Sequence, residues 1–450
     1  MKMCLLMKLD SFLYFIEEKQ YSLVELRDVL EEDYINQLLK GKICEEISVN
    51  SMIKFSFVGL LNYHEKLVFI LPKYIDTSNR YDFPKKMKII IEVIRKYNRK
   101  FISGTDFLSF TGRENDKYSI SFATAGYILD DYSRNGYYEK KEERMLLNGT
   151  GEINWDYTVN EVMPIIINSR PYYLDVITNN ESSDRNNIIT RIHKWVIANY
   201  SSLFGEWIGF ADSLVKRENY SLKSLGSKEF LIAKLKAELN ETYIDREINL
   251  MKVLIQIVEE VFQLASEQLN VYGTKNFEFI WEDVCRTVFN DELEKYKEFI
   301  PAPLWSEVGK DLIIEKRTFI PDLIKTYDIK EESYFAVLDA KYYNLRFTSN
   351  NVLGNPSIND VSKQLLYQKA FEGITDKKMR NYFLFPHDHD SGNILKVIGK
   401  VSLDFINPNP VVLVYLSTSK VYDMYLNNDI IKEEVFELLE LQTTTVIYQD

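Results

Sequence analysis

Cysteine and histidine are scarce in this chain, three of one and four of the other in 450 residues. Cys4, Cys44 and Cys285 are too few and too scattered for a disulfide framework or a zinc cluster, so a reducing cytoplasm is the compartment that fits. Glycine and proline are also few, 17 and 11, against 46% hydrophobic and 14% aromatic residues. That balance excludes a disordered or linker-rich chain and calls for well-folded domains, two or three of them at this length. No apolar run approaches the length that spans a bilayer, so no membrane contact is expected. Met1 to Leu9 is apolar apart from Lys2 and Lys8, but no small-residue cleavage site follows, and no signal peptide is expected. Basic residues are outnumbered 55 to 67, for a net charge of −12. Phosphate contacts need Lys and Arg, so strong stand-alone affinity for nucleic acid is not expected.

What is there reads as three parts in an α/β multidomain chain. Residues 1–130 are mixed α and β. Tyr21 to Leu39 has helical spacing, and the apolar-aromatic runs Lys54–Leu60 and Lys66–Pro72 fit a hairpin. Arg80 to Lys100 is a basic amphipathic helix with Ile89, Ile90, Val93 and Ile94 on its apolar face. Its cations either form a solvated face or meet nucleic acid or an acidic partner. Residues 131–272 follow a helix that ends at Gly136. They begin with a small β element, Glu152–Trp155 and Val162–Ile167, and continue as a helical connector from Ile188 to about Val271. Residues 273–450 alternate helices and strands. Phe277–Val288 is predicted helical, then come strands Ile313–Ile320 and Tyr334–Tyr343 around a polar turn at Asp328–Glu332. A disordered-looking stretch, Thr348–Pro356, precedes a helix over Ile358–Phe371. Strands at Asn381–Phe385, Leu395–Val401 and Val411–Leu416 and a C-terminal helix complete a mixed sheet flanked by helices.

One constellation in this last part carries chemistry. Pro321-Asp322 closes one apolar run, and Asp339-Ala340-Lys341 closes the next. Alternation along a strand puts Asp339 and Lys341 on one face, with Ala340 on the other. If the two runs pair as a hairpin, Asp322 approaches Asp339. Two carboxylates and an ammonium at one spot suit a divalent cation and a water nucleophile, which is how phosphodiester bonds are cut. Mg²⁺, with Mn²⁺ as a substitute, takes a few hard oxygen ligands and keeps waters for exchange. Asp322, Asp339 and the Ala340 carbonyl are its expected ligands, and Lys341 is expected to orient the water. Glu282, one helix earlier, is a third carboxylate or a supporting residue. An Asp-x-Lys tripeptide alone is weak evidence. Charges at the end of buried strands are expensive unless they are paired or functional, and that favours an active site.

This arrangement resembles the PD-(D/E)XK nuclease superfamily. The helix after the acid-x-lysine carries Asp360, Lys363, Gln364, Tyr367 and Gln368, and in several branches a glutamine and a tyrosine there line the site. The resemblance points to Gln364, although Gln364 and Tyr367 are three apart rather than four. Phe57-Val58-Gly59, Leu71-Pro72-Lys73-Tyr74, Gly149 to Trp155 with Thr158, and Phe279 to Cys285 narrow it. Together with Val337 to Tyr343 they are similar to LlaJI-family, McrC-like restriction subunits. That resemblance implies a PD-(D/E)XK restriction-endonuclease-like domain at 273–450 and an N-terminal region, 1–130, that docks a partner. It implies a Mg²⁺-dependent endodeoxyribonuclease of an antiviral restriction system that cuts double-stranded DNA with an McrB-like AAA+ GTPase. No Gly-rich Lys-Ser/Thr loop occurs in the chain, consistent with a motor on a separate chain.

Other readings remain open at this point. A non-catalytic activator or scaffold of such a motor would keep a vestigial nuclease fold, although the intact acid-acid-lysine set argues against it. A stand-alone DNA repair nuclease would need no restriction partner. His387-Asp388-His389-Asp390 is expected to be a polar loop leaving a strand. His193 and Cys285 are expected to pack in their helical surroundings.

Overall fold

The computed structural model describes residues 7–9, 12–47, 52–63, 66–78, 80–102, 120–184, 187–204, 210, 215, 219–263, 270–302, 304–308, 313–314, 320–388 and 392–448. These form two compact units. One joins residues 1–123 to 268–450, and the other comprises 124–267. The first and last parts read from the sequence therefore share one unit.

Two small sheets build the N-terminal part of the first unit. Val58–Tyr63 and Lys66–Leu71 form the expected hairpin, and Phe12–Ile16 pairs in parallel with Lys66–Leu71. The fifth strand of this sheet comes from far along the chain: Asn270–Thr274 pairs antiparallel with Val58–Tyr63. Val271 is thus in a strand, and the preceding helix stops at Gln263. The expectation of helix to about Val271 is corrected here. Gly273 explains why, since it faces Gly59 across the ladder and a Cβ on it would meet the Val58 carbonyl at 2.0 Å. A second sheet, Gln20–Ser22, Cys44–Ile47 and Met52–Phe55, closes over the short helices Leu23–Arg27 and Glu32–Lys40. Phe15, Tyr21, Tyr34, Phe55 and Phe57 fill the space between.

The basic helix spans Phe83–Ile102, with Phe83, Met87, Ile90, Ile91, Val93 and Ile94 buried. Part of its charge is used inside the unit. Lys86 pairs with Asp388 at 2.6 Å, and Lys96 reaches Asn428 Oδ1 at 2.6 Å. Asp388 also accepts from the Asp76 amide, and His387 stacks on Tyr415, as suits a loop leaving a strand. His389 and Asp390 lie outside the described residues.

A five-stranded mixed sheet forms the C-terminal part, in the order Leu323–Ile329, Glu332–Ala340, Lys378–His387, Asn407–Ser417, Leu395–Leu403. The outer pairs are antiparallel and the two inner pairings are parallel. Ile358–Phe371 supplies the helical crossover a parallel pair requires. The sequence reading placed a strand over Ile313–Ile320, before Asp322. Only Ile313–Ile314 is strand there, paired with Leu304–Trp305, and 315–319 lie outside the described residues. The strand beside Asp339 instead begins after Asp322, where Leu323, Ile324 and Tyr327 turn their side chains into the core. Its turn is tight, Lys330-Glu331, with Lys330 at φ 54°. Thr348–Pro356, expected to be disordered, is ordered instead: it contains half of a short hairpin, Arg346–Phe347 with Val352–Leu353, and Thr348 bonds Asn351 across the turn. The exposed edge of the Leu323–Ile329 strand is covered: Asp291 Oδ1 accepts the Ile324 amide and Glu292 Oε2 accepts the Thr326 amide, each at 2.9 Å.

In the second unit, Lys140–Leu147, Ile177–Asp184 and Glu152–Ile153 form a three-stranded sheet, and Ile165–Ile167 with Arg170–Tyr172 forms a hairpin. The sequence reading missed the two long strands, because their charged and polar residues lack an apolar alternation. Helices Ile188–Phe204, Lys228–Glu241 and Asp245–Gln263 follow, with Leu250, Val253, Leu254 and Ile257 buried and Val261 half-buried. His193 is fully buried and accepts the Tyr138 amide at Nδ1; burial pulls its pKa down to about 4. No helix among the described residues is long and apolar enough to cross a membrane.

Gly273→Ala should destabilise the first unit by roughly 2–4 kcal/mol, because both backbone and the Phe57 ring would have to shift. Urea unfolding measures this, and a loss below about 0.5 kcal/mol would contradict the close strand approach.

Candidate active site

The hairpin register sets the site. Leu323 faces Leu338, so Asp322 lies at the hairpin end beside Asp339. The Ala340 amide donates to Asp322 Oδ2 at 2.9 Å, fixing the first carboxylate against the second strand. Lys341 Nζ is 2.7 Å from Asp339 Oδ2, the pairing expected of strand residues two apart. The sequence-predicted set of Asp322, Asp339, Ala340 and Lys341 is therefore assembled.

Helix Phe277–Phe289 forms the next wall. Phe277, Ile280, Trp281, Val284, Cys285 and Val288 are buried, and Trp281 Nε1 donates to the Leu384 carbonyl at 3.1 Å. That docking leaves Glu282 on the open side. Glu282 pairs with Arg286 at 2.6 Å, and Arg286 Nε also donates to the Asp322 carbonyl at 2.8 Å. Arg286 was not anticipated from the sequence, since an i,i+4 ion pair looks like ordinary surface decoration.

Helix Ile358–Phe371 forms the opposite wall, and it begins with a capping box. Asp360 Oδ2 accepts from the Ser357 amide and hydroxyl, at 2.9 and 2.7 Å. Its other oxygen accepts from Lys341 at 2.9 Å, so a helix cap holds the lysine. Ser-x-x-Asp before a helix was the signal that could have singled out Asp360. Gln364 is placed apart from the acids. It is 1% exposed, and its amide donates to Asn381 Oδ1 at 2.7 Å and, at longer range, to the Val337 and Tyr382 carbonyls. Lys363, exposed on the same helix, has its pKa raised first by a hydrogen bond to Tyr367, with Asp339 and Asp322 adding smaller contributions.

A cleft of about 910 Å³ opens over this constellation, lined in part by Glu282, Ala340 and Lys341. Asp339 lies just beneath at 7% exposure. Burial pushes the Asp339 carboxyl up to about 7, and the neighbouring Asp322 charge adds to the rise while Lys341 opposes it. Asp322 is raised as well, by burial and then by Glu282. Glu282 is raised by burial against the pull of Arg286. For Lys341, burial alone would depress the ammonium, but Asp339 and Asp360 override it and hold it charged. Burial and their mutual repulsion thus raise both aspartates together, so the pair resists joint ionisation.

Two adjacent buried carboxylates that resist joint ionisation form a donor set that a divalent cation fits, because its charge removes the cost. Among the described residues no three Asp, Glu, His or Cys side chains converge as a metal cage. The carboxylates of Asp322 and Asp339 are thus the oxygen donors that the site offers a divalent cation.

A model of the LlaJI restriction endonuclease family matches residues 57–419. The chain is similar to the type II restriction enzyme BsuMI component YdjA of Bacillus subtilis (strain 168). The two are 36% identical over 429 residues, 92% of this chain and 89% of that one. Among solved structures it is similar to a refined half-complex from a tetradecameric assembly of Thermococcus gammatolerans McrB AAA+ hexamers with bound McrC. That likeness has a TM-score of 0.42 at 10% identity and covers 95% of this chain and 100% of that chain. A cryo-EM structure of the Thermococcus gammatolerans McrBC complex follows, at a TM-score of 0.24 and 12% identity, covering 55% and 79%.

A carboxyl whose folded pKa is raised contributes its full stabilisation below the unfolded value near 4, and loses it as pH rises toward 7. In chelator, Asp339→Asn should therefore stabilise the chain at pH 8 by about 1–3 kcal/mol and leave it almost unchanged at pH 4. Denaturant unfolding at the two pH values measures the difference, and an equal effect at both would contradict the buried pair.

Proposed function

The chain belongs to the LlaJI restriction endonuclease family, and from that premise we propose that it is the subunit of a restriction system that cuts double-stranded DNA, at the PD-(D/E)XK-type site around Asp322, Asp339 and Lys341. The observation that carries this reading is the convergence of those three side chains beneath an open cleft. The sheet order, with a helical crossover between the Asp-x-Lys strand and its parallel neighbour, supports it.

Asp322 and Asp339 would hold the cation with the Ala340 carbonyl. When bound, Mg²⁺ or Mn²⁺ supplies charge neutralisation for the phosphate and an acidified water. A bound cation would favour the ionised form of both aspartates, releasing to solvent any proton the pair retains. Lys341, charged throughout, cannot act as a base. It presents N–H donors that orient the attacking water and meet a phosphoryl oxygen, and Asp360 fixes its direction. Glu282 supports Asp322 through Arg286 and stands as a third carboxylate toward the cleft. Gln364 braces the end of the Asp339 strand from beneath.

The partner in this reading is an McrB-like AAA+ GTPase. An exposed apolar segment of the second unit supports a protein partner, beside the docking role of residues 1–130. Trp155, Met163, Ile166 and Leu174 are 55%, 95%, 64% and 77% exposed. Isolated proteins rarely leave so many large apolar side chains uncovered in one short segment.

Asp322→Ala, Asp339→Ala and Lys341→Ala should each lower Mg²⁺-dependent cleavage of supercoiled plasmid by about a hundredfold or more, assayed with the motor subunit present. Undiminished cutting by Asp339→Ala would overturn the assignment. Met163→Asp with Ile166→Asp should weaken association with the motor in sedimentation while leaving the far-ultraviolet circular dichroism of the chain unchanged. Unaltered association would remove the apolar surface from the interface.

A further inference from the structure

The cleft over the aspartates is not made by the C-terminal sheet alone. Ile16 to Lys19, Lys54, Ser56 and Lys73 from the N-terminal sheets line its other side. Six cations and four acids line it, the reverse of the whole chain's 55 to 67. Several of those cations already have internal work. Lys54 pairs with Glu45, Lys73 with Glu18, and Lys341 with Asp339 and Asp360. Lys19 and Arg346 differ. Lys19 follows Glu18, which turns the chain at φ 59°. Its ammonium lies 5.6 Å from the centre of the Tyr21 ring, and burial and then Arg80 work against its charge while Glu25 favours it. Arg346 is exposed on the short hairpin after the catalytic strand, with its Nε turned to Asn344 Oδ1 at 3.1 Å. Positive charge concentrated on one cleft of a net-acidic protein is complementary to a polyanion.

We propose that the phosphodiester backbone of the DNA duplex runs along this cleft, gripped by Lys19 of the N-terminal part and Arg346 of the C-terminal part. This deepens the nuclease reading and rests on it. The N-terminal sheets are then part of the substrate site as well as a support for it. They also brace it from behind, since buried Glu17 accepts the hydroxyl of Tyr342, the residue after the catalytic lysine.

The test is the salt dependence of binding. The full-length chain in chelator is titrated onto a labelled 20-base-pair duplex across a salt series, followed by fluorescence anisotropy. Each phosphate contact removed flattens the slope of log K against log salt by about 0.9. Lys19→Gln with Arg346→Gln should therefore flatten it by about 1.8, and Lys19→Arg with Arg346→Lys should keep most of it. Lys223→Gln with Lys236→Gln, the same charge change on exposed helical positions of the second unit, should leave it unaltered. An unchanged slope in the first pair, or an equal loss in the control pair, overturns the proposal. Plasmid cleavage by Asp339→Asn is run alongside. If that variant still cuts, the nuclease reading fails whatever the slopes; if it is inactive and the slopes do not move, only the cleft assignment fails.

Discussion

Two carboxylates buried side by side at one end of a β-hairpin impose the main constraint on this protein. Ionising both in a place with little water is unfavourable, and the chain offsets that cost with few local charges. Lys341 neutralises one, the Ala340 amide binds the other, and Arg286 touches Asp322 only through its carbonyl. The remaining deficit appears as raised affinity of the pair for a proton, with Asp339 pushed up to about 7. A chain selected for stability alone would replace one aspartate, so the strained pair points to function.

The surrounding fold keeps that pair in place. The strand carrying Asp339 is inside the sheet, between Leu323–Ile329 and Lys378–His387, and Phe335 to Leu338 are almost wholly buried. Helix Phe277–Phe289 fixes one wall through Trp281, and a helix cap fixes the lysine through Asp360. A ring of aromatic groups joins the strand's end to the N-terminal part: Tyr342 packs on Tyr74 and Phe277, with Lys73 Nζ 4.5 Å from its ring. Precision at the site therefore depends on residues more than 250 positions away in sequence.

Local pattern made much of this legible. Asp-x-Lys after a run of apolar residues gave the shared face, and helix Ile358–Phe371 was readable from its apolar spacing. The strand beside Asp322 was placed on the wrong side of that residue. Both runs are apolar in sequence, and the pairing of Leu323–Ile329 with the Asp339 strand is a tertiary fact with no local signal. Contacts at long range left no local trace. The pairing of Asn270–Thr274 with Val58–Tyr63, the Arg286 bridge and the Glu17–Tyr342 contact each join segments whose own sequences say nothing of one another. The exposed apolar segment around Met163 was read as an ordinary β element, because exposure is not visible in a sequence.

The most direct test asks whether the two aspartates share one cation and surrender a proton to it. Calorimetric titration of Mn²⁺ into the full-length chain at pH 6, repeated in two buffers of different ionisation enthalpy, counts protons released on binding. The account predicts release of most of one proton per site in the native chain, with binding weakened at least tenfold and release abolished in Asp339→Asn. Binding of equal strength in that variant, or binding to the native chain without proton release, would contradict it.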